Sequence, residues 1–169
     1  YSTLGSLTIN VYDMEEPPAR ADIIADAEKQ VAQNEKLLAR GLITMDEKLT
    51  SNINIWNDAT KQVQDAVLEH LDAFNPIKMM IVSNARGSAG QLNQLIGMCG
   101  LYSTASGQKI DIPVKSSCRS GLTPLEYFIS SRGGRKGLAD KVLKTADSGY
   151  LTRRLEAVAQ EVIIAQEDC

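Results

Sequence analysis

Two stretches with apolar residues at helical spacing, joined by a link too short to let them part, constrain this chain more than any other feature. From Ala19 to Arg40, Ile24, Val31 and Leu38 recur every seven residues with Ala27 and Leu37 between them, and Gly41 follows as a helix stop. A second helix opens at Thr44, because T-M-D-E places Glu47 three residues after a capping Thr, so that each side chain satisfies an orphan N–H of the other's residue. It runs through Leu49, Ile53, Trp56, Thr60, Val63, Val67, His70 and Phe74 in steps of four and three. With only Gly41 to Thr44 between them, the helices fold back as an antiparallel hairpin with facing seams. Asn75-Pro76 breaks the pattern, since a residue before proline is pushed out of helical geometry.

The segments around this hairpin read differently. Leu7, Ile9 and Val11 alternate with polar partners, the period of a half-buried strand, which ends at the acidic stretch Asp13 to Pro18. Beyond Pro76, Gly87, Gly90, Gly97 and Gly100 surround Leu92, Leu95 and Met98, predicting one short helix whose ends approach other backbone closely. Ile110, Ile112 and Val114 alternate as a strand after the Ser106-Gly107 turn. T-P-L-E at Thr123 to Glu126 is another capping box, with Pro124 at the first helical position, where its missing N–H costs nothing.

The helical pattern that follows (Leu125, Phe128, Ile129, Leu138, Val142, Leu143, Ala146) carries Gly133, Gly134 and Gly137 inside it. Each interior glycine costs about 1 kcal/mol relative to alanine. Either the helix bends there, or another backbone or a nucleic acid comes close enough to exclude side chains. Asp147-Ser148-Gly149 is a second soft point, and an amphipathic helix or strand leads from Tyr150 to Ile164. The expected fold is mainly α with minor β: an antiparallel helical hairpin, short helices, a small β element and a long glycine-containing helix.

Charge divides the chain. The net charge is −3, but residues 1–74 carry 6 basic and 13 acidic side chains, whereas residues 75–169 carry 12 and 8. Seven of those basic residues (Arg132, Arg135, Lys136, Lys141, Lys144, Arg153, Arg154) lie in one island with only Asp140 and Asp147 against them. Cationic positions three, four and eight apart, interleaved with Thr145, Ser148 and Tyr150, suit a phosphate backbone with bases or sugars beside it; the competing reading is a solvated charged face. An acidic arm and a basic core call for different neighbours.

Catalytic candidates are sparse. His70, Trp56 and Phe74 sit on the hairpin seam and read as packed side chains, and Cys99 as a small buried hydrophobe. G-S-A-G at 87–90 lacks the lysine of a phosphate loop, and no closely spaced carboxylates suggest two-metal chemistry. Cys99, Cys118 and Cys169 are odd in number and widely spaced, giving neither a disulfide framework nor a complete zinc site. No window reaches the roughly 18 apolar residues of a membrane span, and the first residues do not follow signal-peptide order, so a cytoplasmic setting without membrane is expected. A start at Tyr1 and an end at Cys169 after an apolar run look like a piece of something longer.

Three runs carry a resemblance: NPIKMMIVSNARGSAGQLNQLIGMCGLY, GLTPLEYFISSRGGRKGLADKVLKTADSGYLTRRL and VAQEVIIAQEDC. They closely resemble the largest catalytic subunit (beta prime) of bacterial-type multisubunit DNA-directed RNA polymerases, and IWNDATKQVQDAV and GLIT extend the likeness into the hairpin. The resemblance implies a nucleotidyltransferase assembly in which residues 1–18 are a strand and linker and 19–74 form the rim of the secondary channel. Residues 75–121 then form a bracing loop, helix and β element, 122–155 the bridge helix crossing the main cleft, and 156–169 a connector toward a zinc-binding region outside the chain.

By the same resemblance, Arg135, Lys136, Lys144, Thr145, Ala146, Tyr150 and Arg153 contact nucleic acid, with Thr145 and Ala146 under the templating base pair and Tyr150 and Arg153 near the template strand. Gly133, Gly134 and Gly137 let the bridge helix flex, and Arg86, Gly87 and Gln94 belong to the bracing loop. No catalytic residue falls within this stretch: the family's catalytic aspartates lie upstream and its trigger loop downstream. Cys169 matches the first of four zinc-ligating cysteines, so Mg2+ and a structural Zn2+ are expected of the intact subunit and no cofactor of this stretch. Implied partners are other polymerase subunits, template DNA, the nascent RNA–DNA hybrid, nucleoside triphosphates and secondary-channel transcription factors.

The chain departs from the family pattern at Asn84 (Gly in the family), Asn93 and Cys99 (Arg), Ser120 (Glu), Arg132 (His) and Lys141 (Thr). The alternative reading is a free-standing helical interaction module that binds nucleic acid non-specifically.

Overall fold

The computed structural model describes residues 3–5, 8–104, 106–163 and 165. Among these residues five α-helices follow one another: α1 (Ala19–Ala39), α2 (Met45–His70), α3 (Pro76–Val82), α4 (Ala89–Ile96) and α5 (Pro124–Ala159). The hairpin forms as its seams require. Asn34 Nδ2 donates to Ser51 Oγ (2.9 Å) and to Asn52 Oδ1 (3.0 Å) while Glu35 meets Lys48, so rising numbers on α1 face falling numbers on α2. At the turn, the Leu42 N–H reaches Leu37 O, the Gly41 N–H reaches Leu38 O and Gly41 has φ +72°, which together close α1 with a Schellman motif. Thr44 and Glu47 exchange the expected capping-box bonds.

The core lies where α2 meets α1 and α4. Ala27 of α1, Trp56, Ala59, Val63 and Val67 of α2, and Leu92 and Ile96 of α4 form one buried cluster with Leu71, Ile77 and Met98. α4 approaches α2 so closely that a Cβ on Gly97 would fall 2.7 Å from Val63 Cγ1. Asn93, buried under this contact, donates to Thr60 O (3.1 Å) and accepts from the Met98 N–H (3.3 Å), so that neither half of its amide is stranded. Arg20 ties the start of α1 to the same region, donating to Gly97 O at 2.7 Å and Lys115 O at 3.0 Å.

Both expected strands are corrected. Leu7 lies outside the described residues, and residues 8–10 are irregular and lead into a single 3-10 turn at Val11–Asp13, with Ile9 and Val11 exposed. The cause is local: Asp13 accepts from the Asn10 N–H at 2.7 Å and Asn10 from the Tyr12 N–H, offering the backbone a turn in place of a ladder. Lys109 and Val114 likewise make two isolated antiparallel bridges, to Ser103 and Gly100, in place of a full strand, and these are the small β element of the fold. Pro113 between them has no N–H to continue the pairing.

The α2 seam also ends earlier than its period predicts. Leu71 leaves helical geometry with ψ 136°, and a turn at Asp72 throws Phe74 out to 83% exposure, so Phe74 is not core. His70 is on the rim beside Glu15, at 3.8 Å. α3 has no counterpart in the sequence reading, although its start is marked: Asn75 accepts from the Ile77 and Lys78 N–H groups and Pro76 takes the first position.

Candidate nucleic-acid interface

α5 grows out of a capping box and is held to the rest of the molecule at one end. Glu126, in its first turn, collects five hydrogen bonds: from the Lys115 and Ser116 N–H groups (2.9 and 3.1 Å), the Ser116 hydroxyl (2.8 Å), and the Thr123 N–H and hydroxyl (2.9 and 2.8 Å). Burial acts to raise its pKa, but these donors outweigh it and hold the carboxyl down at about 2. Glu126 and Ile129 are the only α5 residues buried among those described. One turn further, the Tyr102 ring lies against the helix backbone, where a Cβ on Gly133 would overlap it. Lys136 then reaches back to donate to Thr104 O at 3.1 Å.

Beyond Lys136 the helix leaves the body. It is continuous to Ala159, so the soft point at Asp147 to Gly149 is helical and Tyr150 continues the same helix. Its apolar side chains there have no cover: Leu138, Val142, Leu143, Leu151, Leu155 and Val158 are all exposed. The two explanations for its glycines therefore divide. Gly133 is required by this chain's own Tyr102, whereas Gly134, Gly137 and Gly149 face open space.

At about 100° per residue along a straight helix, Arg132, Arg135, Ala146, Tyr150 and Arg153 share one side. The Arg154 guanidinium lies over the Tyr150 ring, 4.7 Å from its centre. Lys144 and Thr145 project from other sides, and Thr145 spends its hydroxyl on Lys141 O at 2.6 Å. Gly134, Gly137, Thr145, Ser148 and Thr152 form a stripe of small residues roughly opposite the cationic one. The seven residues expected to touch nucleic acid are thus brought onto one element but not onto one face, and Lys136 already has a partner.

The bracing-loop residues separate as well. Gly87 has φ +83° in the turn before α4, and Arg86 is exposed beside it. Gln94, on α4, contributes its carbonyl, which accepts the Cys118 N–H at 3.0 Å. Asn84 adopts φ 55°, which asparagine tolerates better than most residues. Tyr102, Arg20 and the full set of donors on Glu126 were missed from sequence, because none lies at a spacing that marks long-range contact. Cys169 lies outside the described residues, and among those described no group of three or more His, Cys, Asp or Glu could hold a metal ion. Nor is any described helix long and apolar enough to cross a membrane.

Known proteins match this sequence along its whole length. The family described as RNA polymerase Rpb1, domain 4 matches residues 27–127, and RNA polymerase Rpb1, domain 5 matches 121–169. All 169 residues align at 52% identity with the DNA-directed RNA polymerase subunit beta' of Roseiflexus sp. (strain RS-1), at 53% with that of Pelotomaculum thermopropionicum and at 54% with that of Desulforamulus reducens. The chain spans 11% of the first relative's length and 14% of the other two. The hairpin from Ala27 onward, α3 and α4 fall in the first matched region and all of α5 in the second: the chain belongs to the RNA polymerase Rpb1 family, running from domain 4 into domain 5.

Proposed function

We propose that this chain is the part of a DNA-directed RNA polymerase's largest subunit that carries the bridge helix, with α5 in that role. In this reading it positions template DNA and the incoming nucleotide and assists translocation, without supplying the groups that transfer phosphate. The observation that carries the reading is a 36-residue helix rooted at Glu126, Ile129 and Gly133 and otherwise exposed along its length. A free-standing module would hide Leu138, Val142, Leu155 and Val158; a helix that crosses a cleft between neighbours leaves them for those neighbours to cover.

Division of labour follows from the two sides of α5. Arg135, Tyr150 and Arg153, with the small Ala146 among them, offer charge and an aromatic surface to a nucleic-acid strand, while Gly137 and Thr145 on the opposite stripe let a base pair approach the backbone. Arg86, Gly87 and Gln94 brace the root of the helix, and the α1–α2 hairpin, with its acidic residues, rims the channel by which nucleotides and regulatory factors enter. Template DNA, the RNA–DNA hybrid, nucleoside triphosphates and the other subunits are the partners. Mg2+ and a structural Zn2+ belong to other parts of the subunit, with Cys169 as one possible zinc ligand among the four such a site needs.

Gly137→Pro tests the role. Proline removes a backbone donor and clashes with the preceding turn, at about 3 kcal/mol. In polymerase reconstituted with the full-length subunit, elongation should slow at least tenfold while assembly, followed by co-purification of the subunits, is preserved. An unchanged elongation rate in an assembled enzyme would overturn the role given to α5.

A further inference from the structure

Cys99 and Cys118 are nineteen positions apart in sequence, and nothing in the nucleic-acid reading of α5 uses either. The fold nevertheless brings them to one carbonyl. The last turn of α4 presents Gln94 O, which accepts the Cys118 N–H at 3.0 Å and lies 3.7 Å from Cys99 Sγ. Neighbouring bonds hold both backbones in register: the Cys99 N–H donates to Ser116 O at 3.2 Å, and the Arg119 N–H to Leu95 O at 3.1 Å. The two cysteines thus converge on a single carbonyl oxygen, one through its backbone N–H and the other through its thiol, and both are free. Cys118 is exposed and Cys99 half-buried.

We propose that Cys99 and Cys118 are a reversible oxidation site, closing to an intramolecular disulfide by exchange with a small-molecule disulfide of the glutathione class. The exposed partner is the point of entry. Cys118, having released its proton to water, attacks one sulfur of the small disulfide; a sulfur–sulfur bond forms, the old one breaks, and one small thiol leaves with a proton. Cys99 then gives its proton to water and attacks the Cys118 sulfur, expelling the second small thiol. Two protein thiols are oxidised to one disulfide and one small disulfide is reduced to two thiols. The new bond would staple the loop that leads into α5 to the segment that leaves α4. That segment also carries Tyr102, whose ring packs on Gly133.

The test uses assembled polymerase containing the full-length subunit, reduced and then equilibrated with oxidised glutathione. Free thiols are trapped by alkylation, and peptides are mapped by mass without reductant. The expected product is a linked peptide pair joining Cys99 to Cys118, lighter by two hydrogens, resistant to alkylation and restored by dithiothreitol. In Cys99→Ser, glutathione should remain stalled on Cys118. Cys118→Ser, a change at an exposed position, should leave Cys99 alkylatable and abolish the link. The proposal is overturned if both thiols of the unsubstituted enzyme stay alkylatable, or if glutathione accumulates on Cys118 without the link forming.

Discussion

Glu126 shows how a single side chain sets the geometry of a much longer element. Its five donors come from Thr123 at the helix cap and from Lys115 and Ser116 on the incoming loop, so the carboxylate fixes the angle at which α5 leaves the body. Its pKa is held at about 2, below the ordinary 4.5, so the ionised form is the one that stabilises the fold. That contribution is complete above about pH 4.5 and is lost as pH falls toward 2, where the folded-state carboxyl takes up its proton. Glu126→Gln should therefore cost roughly 1–3 kcal/mol near neutral pH, with the difference from the unsubstituted protein narrowing below pH 4. Urea titrations at pH 7 and pH 3 measure both, and an equal cost at the two pH values would contradict this account. The capping box that names Glu126 is legible in T-P-L-E, but its bonds to residues ten and eleven positions earlier are not, since no local pattern records them. Cys99 gives a second expectation at this scale. Burial, with the neighbouring Cys118 adding to it, pushes its thiol up to about 11; Tyr102 and Glu126 are the other groups that act on it. Alkylation of Cys99 between pH 7 and 8 should run roughly a hundredfold slower than that of an unhindered thiol, and should accelerate about tenfold per pH unit.

At the scale of elements, the sequence was most legible where one local rule governs. α1, α2 and the start of α5 follow from periodicity and caps, and the structure forms them at the expected places. Neither alternating segment became a full strand, for different reasons: Asn10 and Asp13 turn the first into a 3-10 turn, whereas the second pairs with residues 100–103 through two bridges only, Pro113 having no N–H to extend the pairing. The interior glycines of α5 needed the tertiary structure to separate them. Gly133→Ala should be harmful in any context, because its Cβ would overlap the Tyr102 ring. Gly137→Ala meets nothing in this chain and gains helix propensity of about 1 kcal/mol. Circular dichroism of the chain should therefore show α5 more helical with Gly137→Ala, whereas elongation by the reconstituted polymerase should slow if a base pair or another protein segment packs there. A variant that is both more helical and equally fast would show that Gly137 is not a contact point.

For the whole molecule, the distribution of burial bears most directly on function. The core gathers on α1, α2 and α4, while α5 contributes only its first turns and then runs for more than twenty residues without cover. Helices gain most of their stability from packing, so a helix with no packed face depends on neighbours outside this chain. That dependence was partly legible: interior glycines and a cationic island mark a helix made for contact, but the apolar pattern through Leu138, Val142 and Leu143 does not record whether its cover comes from this chain or from another. Native-state hydrogen exchange separates the two kinds of order. In the 169-residue chain alone, amides of Ala59 to Val67 should be the slow ones, and those of Lys141 to Ala157 should exchange with little protection. In polymerase assembled from the full-length subunit, the second group should slow by at least a hundredfold as neighbours cover α5. Equal protection of Lys141 to Ala157 in both states would mean that α5 is held by its own sequence, and would remove the physical basis for a helix whose shape answers to its surroundings.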